Sequence, residues 1–174
     1  ELTGPGTIKH IEGDRLTIGE IDYSNSKRCE ILASALNNAG FKCRMRKDIR
    51  NELWVKLLGN VFFNPVSALT GATLVEIANH KSTSNLAHNI MDEANSIALA
   101  LGISIPISID QRIEGARKVG SHKTSMLQDC ESGKMWELDA LVGSVLELGE
   151  LLGINMPHTK TLYACAKLLE EKRT

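Results

Sequence analysis

Three polar side chains recur at intervals of four residues in an otherwise apolar stretch of the chain. Lys56, Asn60 and Asn64 lie within WVKLLGNVFFNPVSALTGATL, residues 54–74. An α-helix turns about 100° per residue, so side chains four apart form one slightly slanting stripe. The other positions are nearly all apolar, which is typical of a buried helix, and buried amine or amide groups are costly without partners. The stripe therefore faces either a polar cavity or specific internal partners.

The spacing alone leaves two interpretations of this stripe open. In the first, the amides are a buried pair that fixes how helices dock, and the lysine amine reaches the surface. In the second, the stripe is a small-molecule site, in which the amine donates a proton and the amides suit a carbonyl, a hydroxyl or a carboxylate. Pro65 cannot donate to the carbonyl of Val61, so the helix is expected to kink or stop near Asn64.

A second stretch, SHKTSMLQDCESGKMWELDALVG at residues 121–143, carries a helix-start pattern and a separate carboxylate. Ser125 and Gln128 match the capping box S-x-x-Q, so Ser125 is expected to be a helix N-cap. A helix N-terminus with free backbone N–H groups could also hold a substrate carboxylate. Glu137, flanked by Trp136 and Leu138, is either a solvated charge or an acceptor for sugar hydroxyls.

The elements that must position these residues fall into two regions. Residues 5–47 mix strand and helix patterns, with short strands predicted over 7–11 and 15–18 around a turn at 12–14. A helix that Ser24-Asn25-Ser26 could cap follows, and then a strand in FKCRMR, 41–46. From Asp48 onward the pattern is helical. It predicts helices over about 49–69, 82–101, 109–121, 125–130 continuing or restarting to 152, and 159–172. Two LGI segments, each followed by a proline within four residues, are typical of helix ends.

Composition limits the class of protein. The chain has 174 residues, enough for one domain or for one domain and a small second one. A net charge of −1 indicates neither a nucleic-acid partner nor an anionic membrane, and no apolar run approaches the ~20 residues that span a bilayer. The four cysteines include no C-x-x-C, so neither a metal site nor a disulfide framework is expected. This use of cysteine predicts a reducing, cytoplasmic setting. The first residue is not Met, so we expect a fragment or a processed product.

Together the two stretches resemble the ketopantoate reductases (2-dehydropantoate 2-reductases). LWVKLLGNVFFNPVSAL is similar to the family's Trp-x-Lys-Leu-x-x-Asn-x-x-x-Asn-Pro signature, SMLQD with Glu137 to its second signature, and GINMPHTKTLYACAK to its closing segment. The resemblance implies a mainly α fold. An all-helical C-terminal domain over 48–174 would follow a short α/β remnant of a Rossmann domain at 1–47, with two to three strands and a helix. No G-x-G-x-x-G occurs in the chain, so the dinucleotide-binding half is expected to be missing.

The resemblance also implies an activity, the NADPH-dependent reduction of 2-dehydropantoate to pantoate in pantothenate and coenzyme A biosynthesis. Lys56 would be the proton donor to the ketone oxygen, and Asn60 and Asn64 would hold the substrate's oxygens. Ser125 would bind the substrate's carboxylate end, and Glu137 would contact the NADPH ribose. NADPH would be bound mainly by the missing N-terminal domain, so the fragment alone is expected to be inactive. The expected assembly is a cytoplasmic homodimer that acts on a small 2-oxo acid, without nucleic-acid or membrane partners.

One position departs from the family's pattern. Family members often carry a further substrate-binding Asn about ten residues after the second helical Asn, and here that position is near Leu74. An apolar side chain cannot replace an amide's hydrogen bonds, so the substrate could be another 2-oxo acid. The alternative function is a helical dimerisation or ligand-binding module without catalysis. The signature from Ser125 to Glu137 disfavours a third class, the 6-phosphogluconate or 3-hydroxyacid type of dehydrogenase.

Overall fold

The computed structural model describes residues 2–11 and 13–173 of the chain. Its residue contacts divide it into two units, one up to Arg50 and the other from Asn51 onward. Glu12, in the turn predicted at 12–14, lies outside the described residues. In the first unit, β1 (Leu2–Gly4) and β2 (Thr7–Ile8) form an antiparallel pair. The predicted strand over 7–11 is therefore shorter than expected, and β1 was not predicted.

A parallel strand pair joined by a helix forms the rest of the first unit. β3 (Arg15–Ile18) and β4 (Lys42–Met45) are parallel partners, and α1 (Lys27–Asn38) connects them. The helix begins where the sequence predicted a cap, because Ser26 Oγ accepts a hydrogen bond of 3.2 Å from the backbone N–H of Cys29. Parallel strands need such a crossover, and this βαβ arrangement is the repeating unit of Rossmann-type folds.

From Ile49 onward the described chain is helical, with connecting loops. The helices are α2 (Ile49–Thr70), α3 (Leu74–Asn79), α4 (Lys81–Ala100), α5 (Ile109–Val119), α6 (Ser125–Glu131), a π-helical segment (Asp139–Gly143), α7 (Ser144–Leu152) and α8 (Pro157–Arg173). The prediction of a mainly α fold is confirmed. The sequence did not predict α3. It left open whether the helix at 125–130 continues or restarts before 152, and the structure shows that it restarts, with the π-helical segment at Asp139–Gly143. Gly102 and Gly153 have φ of 73° and 66°, which confirms the two predicted helix ends.

The core of the helical unit lies around α4. The buried side chains of α4 recur every three or four residues: Ala87, Ile90, Met91, Ala94, Ile97 and Ala98. α3, α5, α7 and α8 pack against this helix. The second half of α2 adds Phe62 and Phe63, whose rings meet edge to face with centroids 5.0 Å apart. The first half of α2 lies nearer the surface, with Leu53 58% exposed, so only the second half is buried on every side.

Pro65 does not end α2, which continues to Thr70. The expectation that the helix could stop near Asn64 is therefore wrong. Burial of Val66 and Ala68 beyond the proline offsets the backbone hydrogen bond that the ring removes. Within the described part of the chain, every helix is too short or too polar to cross a bilayer.

Candidate active site

The stripe on α2 runs from the protein surface into the core. Lys56 is exposed, Asn60 is half-buried, and only 4% of Asn64 is accessible. Lys56 thus lies in solvent, as in the interpretation in which its amine reaches the surface. Within residues 2–11 and 13–173, the three side chains form no hydrogen bond with another protein group. The interpretation of the amides as a helix-docking pair needs such bonds, so the arrangement favours polar groups that are available to a ligand.

A pair of buried hydroxyls joins the Asn64 end of this stripe to the start of α6. Ser67 Oγ and Thr124 Oγ1 lie 2.5 Å apart. Ser67 donates its one hydrogen to the carbonyl of Asn64 at 2.8 Å, so Thr124 must donate to Ser67. Thr124 Oγ1 then accepts from the backbone N–H of Leu127 at 3.2 Å. The turn of α2 that carries Asn64 is therefore fastened beside the N-terminus of α6.

Ser125 is not the helix N-cap that the S-x-x-Q pattern predicted. Thr124 is the cap, and Ser125 is the first helical residue, with an exposed side chain. Gln128 does not close a capping box, because its side-chain amide donates to the carbonyl of Lys123 at 3.0 Å. The cap falls on Thr124 because its hydroxyl is held by Ser67. Ser125 follows directly and presents its hydroxyl to solvent.

Glu137 projects from a short segment whose neighbours are both in the core. Trp136 is 8% accessible and Leu138 is fully buried, whereas Glu137 is exposed. The backbone carbonyl of Glu137 accepts from the N–H of Leu141 at 3.0 Å, at the start of the π-helical segment. The two core side chains hold the backbone, so the carboxylate is anchored but in water. Such a group can accept hydrogen bonds from ligand hydroxyls.

Leu74, where the family pattern has a further amide, begins α3. Its backbone N–H donates to the carbonyl of His122 at 3.0 Å, in the loop that leads into α6. Its side chain is half-buried and packs against the core. Position 74 thus lies beside the loop that leads to Ser125, but it offers no polar side chain there.

Arg112 is a candidate that the sequence analysis did not single out. This residue of α5 places its guanidinium against α2 at Gly59, between the positions of Lys56 and Asn60. The available signal was Gly59 itself. Glycine inside a helix is about 1 kcal/mol less favourable than alanine, and it usually has a packing or functional reason.

Comparison with known proteins gives a consistent result. The family model described as "Ketopantoate reductase PanE/ApbA C terminal" matches residues 48–170. A curated 2-dehydropantoate 2-reductase of Mesorhizobium japonicum is 46% identical over 173 residues, which are 99% of this chain and 53% of that protein. The chain therefore spans about half the length of the curated relatives it matches.

Two solved structures extend the comparison. The crystal structure of 2-dehydropantoate 2-reductase from Methylococcus capsulatus superposes with a TM-score of 0.90 at 31% identity, covering 99% of this chain and 56% of that one. A D-mandelate dehydrogenase in complex with NADH superposes with a TM-score of 0.88 over 100% of this chain and 60% of that one. At 18% identity, the second likeness shows the fold alone.

Proposed function

This chain belongs to the ketopantoate reductase family, as its C-terminal part, and we propose that it is the substrate-binding half of an NADPH-dependent reductase. The proposed reaction is the conversion of 2-dehydropantoate to pantoate in pantothenate and coenzyme A biosynthesis. The observation that carries this proposal is the 46% identity to a 2-dehydropantoate 2-reductase across 99% of the chain. The reductase would act in the cytoplasm as a homodimer on a small 2-oxo acid.

In this proposal Lys56 donates the proton to the ketone oxygen. Hydride addition at the ketone carbon creates alkoxide character on that oxygen. A positioned ammonium group both stabilises this charge and supplies the proton. The exposed position of Lys56 supports the role, because the amine is available to a bound molecule and forms no ion pair within the described residues.

Asn60, Asn64 and Ser125 are proposed to orient the substrate. The two amides can each donate to and accept from the substrate's oxygens, and the Ser125 hydroxyl would bond its carboxylate end. The hydrogen bond between Ser67 and Thr124 supports this grouping, because it fastens the Asn64 turn beside α6. These groups would bind oxygens that are present in the ground state and the transition state alike, so their loss is expected to act more on KM than on kcat.

NADPH would supply the hydride, and we propose that an N-terminal Rossmann domain binds most of it. Residues 1–47 would be the end of that domain, in agreement with the βαβ arrangement of β3, α1 and β4. The chain contains no G-x-G-x-x-G turn to hold the pyrophosphate. From this chain, Glu137 would contribute an exposed carboxylate that accepts hydrogen bonds from ribose hydroxyls.

A different 2-oxo acid is the second candidate substrate, and Leu74 favours it. This side chain packs against the core and cannot supply the hydrogen bonds of an amide. A module without catalysis, which would bind a ligand or a second copy, is the remaining alternative. Retention of an available amine beside two amides weighs against it.

Calorimetry tests the proposed division of NADPH binding, and activity measurements distinguish the two candidate substrates. We expect the 174-residue chain by itself neither to turn over substrate nor to bind NADPH tightly, because it lacks a phosphate-binding turn. A micromolar dissociation constant for NADPH with this chain would contradict the proposed division of labour. In the full-length enzyme, NADPH-dependent reduction of 2-dehydropantoate well above that of other 2-oxo acids would support the first substrate, and the reverse preference would support the second.

A further inference from the structure

Arg112 occupies a notch in α2 that the missing side chain of Gly59 creates. A Cβ atom at position 59 would overlap Nη2, Cζ and Nε of the Arg112 guanidinium. The charged group therefore lies directly against the backbone of α2. It takes the place that a side chain at position 59 would otherwise fill.

This guanidinium has no counter-charge in the part of the chain that the structure describes. Its Nε is buried and lacks a hydrogen-bond acceptor. The acidic residues of its own helix are engaged elsewhere, since Asp110 lies 3.2 Å from His88 and Glu114 lies 3.1 Å from Arg117. Burial lowers the pKa of Arg112, as expected for a cation that loses water without gaining an anion.

The notch lies next to the proposed proton donor. Gly59 precedes Asn60 directly and follows Lys56 by three residues. Positions three apart on a helix are surface neighbours, so the guanidinium lies against the turn of α2 that carries Lys56. The ammonium and guanidinium groups can therefore reach one bound molecule. Two cations at one place on α2 match an anion that also carries a polar oxygen.

We propose that Arg112 binds the carboxylate of the 2-oxo-acid substrate while Lys56 acts on the adjacent ketone, an inference that rests on the proposed function. A 2-oxo acid has its carboxylate bonded directly to the ketone carbon, so the two groups need neighbouring partners. A guanidinium donates two parallel hydrogen bonds to a carboxylate, and here the two Nη nitrogens, which unlike Nε are not among the buried atoms without a partner, would donate them. In this arrangement Arg112 supplies the positive charge that faces the carboxylate.

A carboxylate could also come from an acidic side chain in the rest of a longer protein. The two sources predict different behaviour. If the carboxylate belongs to the substrate, replacing Arg112 impairs the reduction of charged substrates and leaves the folding stability unaffected. If the carboxylate belongs to the protein, replacing Arg112 lowers the folding stability whether or not the substrate is charged.

The test compares an acid with its neutral ester in the full-length enzyme. Steady-state kinetics with 2-dehydropantoate and its methyl ester are measured for the wild type, Arg112→Gln, Arg112→Lys and Lys56→Gln, together with the melting temperature of each. We expect Arg112→Gln to lower kcat/KM for the acid on the order of 10- to 100-fold, the loss of a charged hydrogen-bond pair, and to leave the ester unchanged. Arg112→Lys keeps the charge without the fork and should recover part of the loss. The melting temperature should not fall in Arg112→Gln.

Each remaining outcome rejects one part of this account. If Lys56→Gln abolishes reduction of both compounds but Arg112→Gln spares the acid, the role of Arg112 is wrong and the proposed function stands. If Arg112→Gln lowers the melting temperature and impairs acid and ester equally, a protein carboxylate is its partner and the inference is overturned. If Lys56→Gln keeps the wild-type rate, the proton-donor role of Lys56 is wrong, and if the wild type reduces neither compound, the proposed function itself fails.

Discussion

Replacing Thr124 with valine tests how the structure fastens α2 to α6. Valine keeps nearly the same shape but removes the hydroxyl that caps Leu127 and donates to Ser67. Loss of a helix N-cap costs about 1 kcal/mol. Loss of one buried hydrogen bond costs about 1 kcal/mol more. Thr124→Val should therefore lower the free energy of unfolding by about 2 kcal/mol, which corresponds to a fall in melting temperature of about 4–8 °C for a chain of this size.

Tryptophan fluorescence is a suitable probe for this experiment, because Trp54 and Trp136 both belong to the core of the helical unit. Denaturant unfolding of the wild type and Thr124→Val gives the difference directly. Thr161→Val is a matched control, since its exposed hydroxyl only donates to the carbonyl of Pro157 within α8, and we expect a change within about 0.5 kcal/mol. If the two variants were equally stable, the hydroxyl pair would not be holding the helices together, and the argument for the grouping of Asn64 with Ser125 would lose its support.

Three further variants follow from the site and from the helix packing. Lys56→Ala in the full-length enzyme should lower kcat on the order of 10²–10⁴-fold, far more than it raises KM, because alkoxide charge develops mainly in the transition state. Steady-state kinetics measures both constants. A near-normal kcat would mean that Lys56 only anchors the substrate. Gly59→Ala should displace the Arg112 guanidinium and raise KM for the acid about tenfold. The variant should not lose stability, because alanine is about 1 kcal/mol more favourable than glycine in a helix. A destabilised variant with an unchanged KM would contradict the proposal that Arg112 binds the carboxylate. Burial raises the pKa of Glu93, but hydrogen bonds from the Thr159 hydroxyl and from the N-terminal backbone N–H groups of α8 outweigh it, so the pKa lies below its ordinary value of 4.5. The stability that Glu93 contributes is thus present above about pH 4.5 and is lost as the pH falls through the folded-state value. Glu93→Gln should therefore cost about 1 kcal/mol in denaturant unfolding at pH 7, and a cost that persists in full at pH 3 would refute the assignment.

The fold could be predicted where the signal was periodic and local. The ends of α4 and α8 were predicted to within two residues, because apolar side chains repeat every three or four positions, Gly102 follows α4, and Gly153 and Pro157 mark the start of α8. α3 was missed because six residues cannot show a period. What forms it is non-local, since Leu74 and Val75 donate backbone hydrogen bonds to the carbonyls of His122 and Gly120. The sequence around 74 contains no sign of those acceptors.

The candidate site shows the same difference between local and non-local signals, which explains why Ser125 was wrongly predicted to be the helix N-cap and why Arg112 was missed. The spacing of Lys56, Asn60 and Asn64 is a property of one helix, so it could be read without any tertiary knowledge. Which of the adjacent residues Thr124 and Ser125 caps α6 could not be predicted in this way, because Ser67, on another helix, decides it. Gly59 is the intermediate case: a glycine inside a helix indicates that something approaches closely, but not what. The approaching group is a guanidinium without a partner among the described residues, and this results from packing between α2 and α5. It places a second cation beside Lys56, the proposed proton donor, as the binding of an anionic ketone would require.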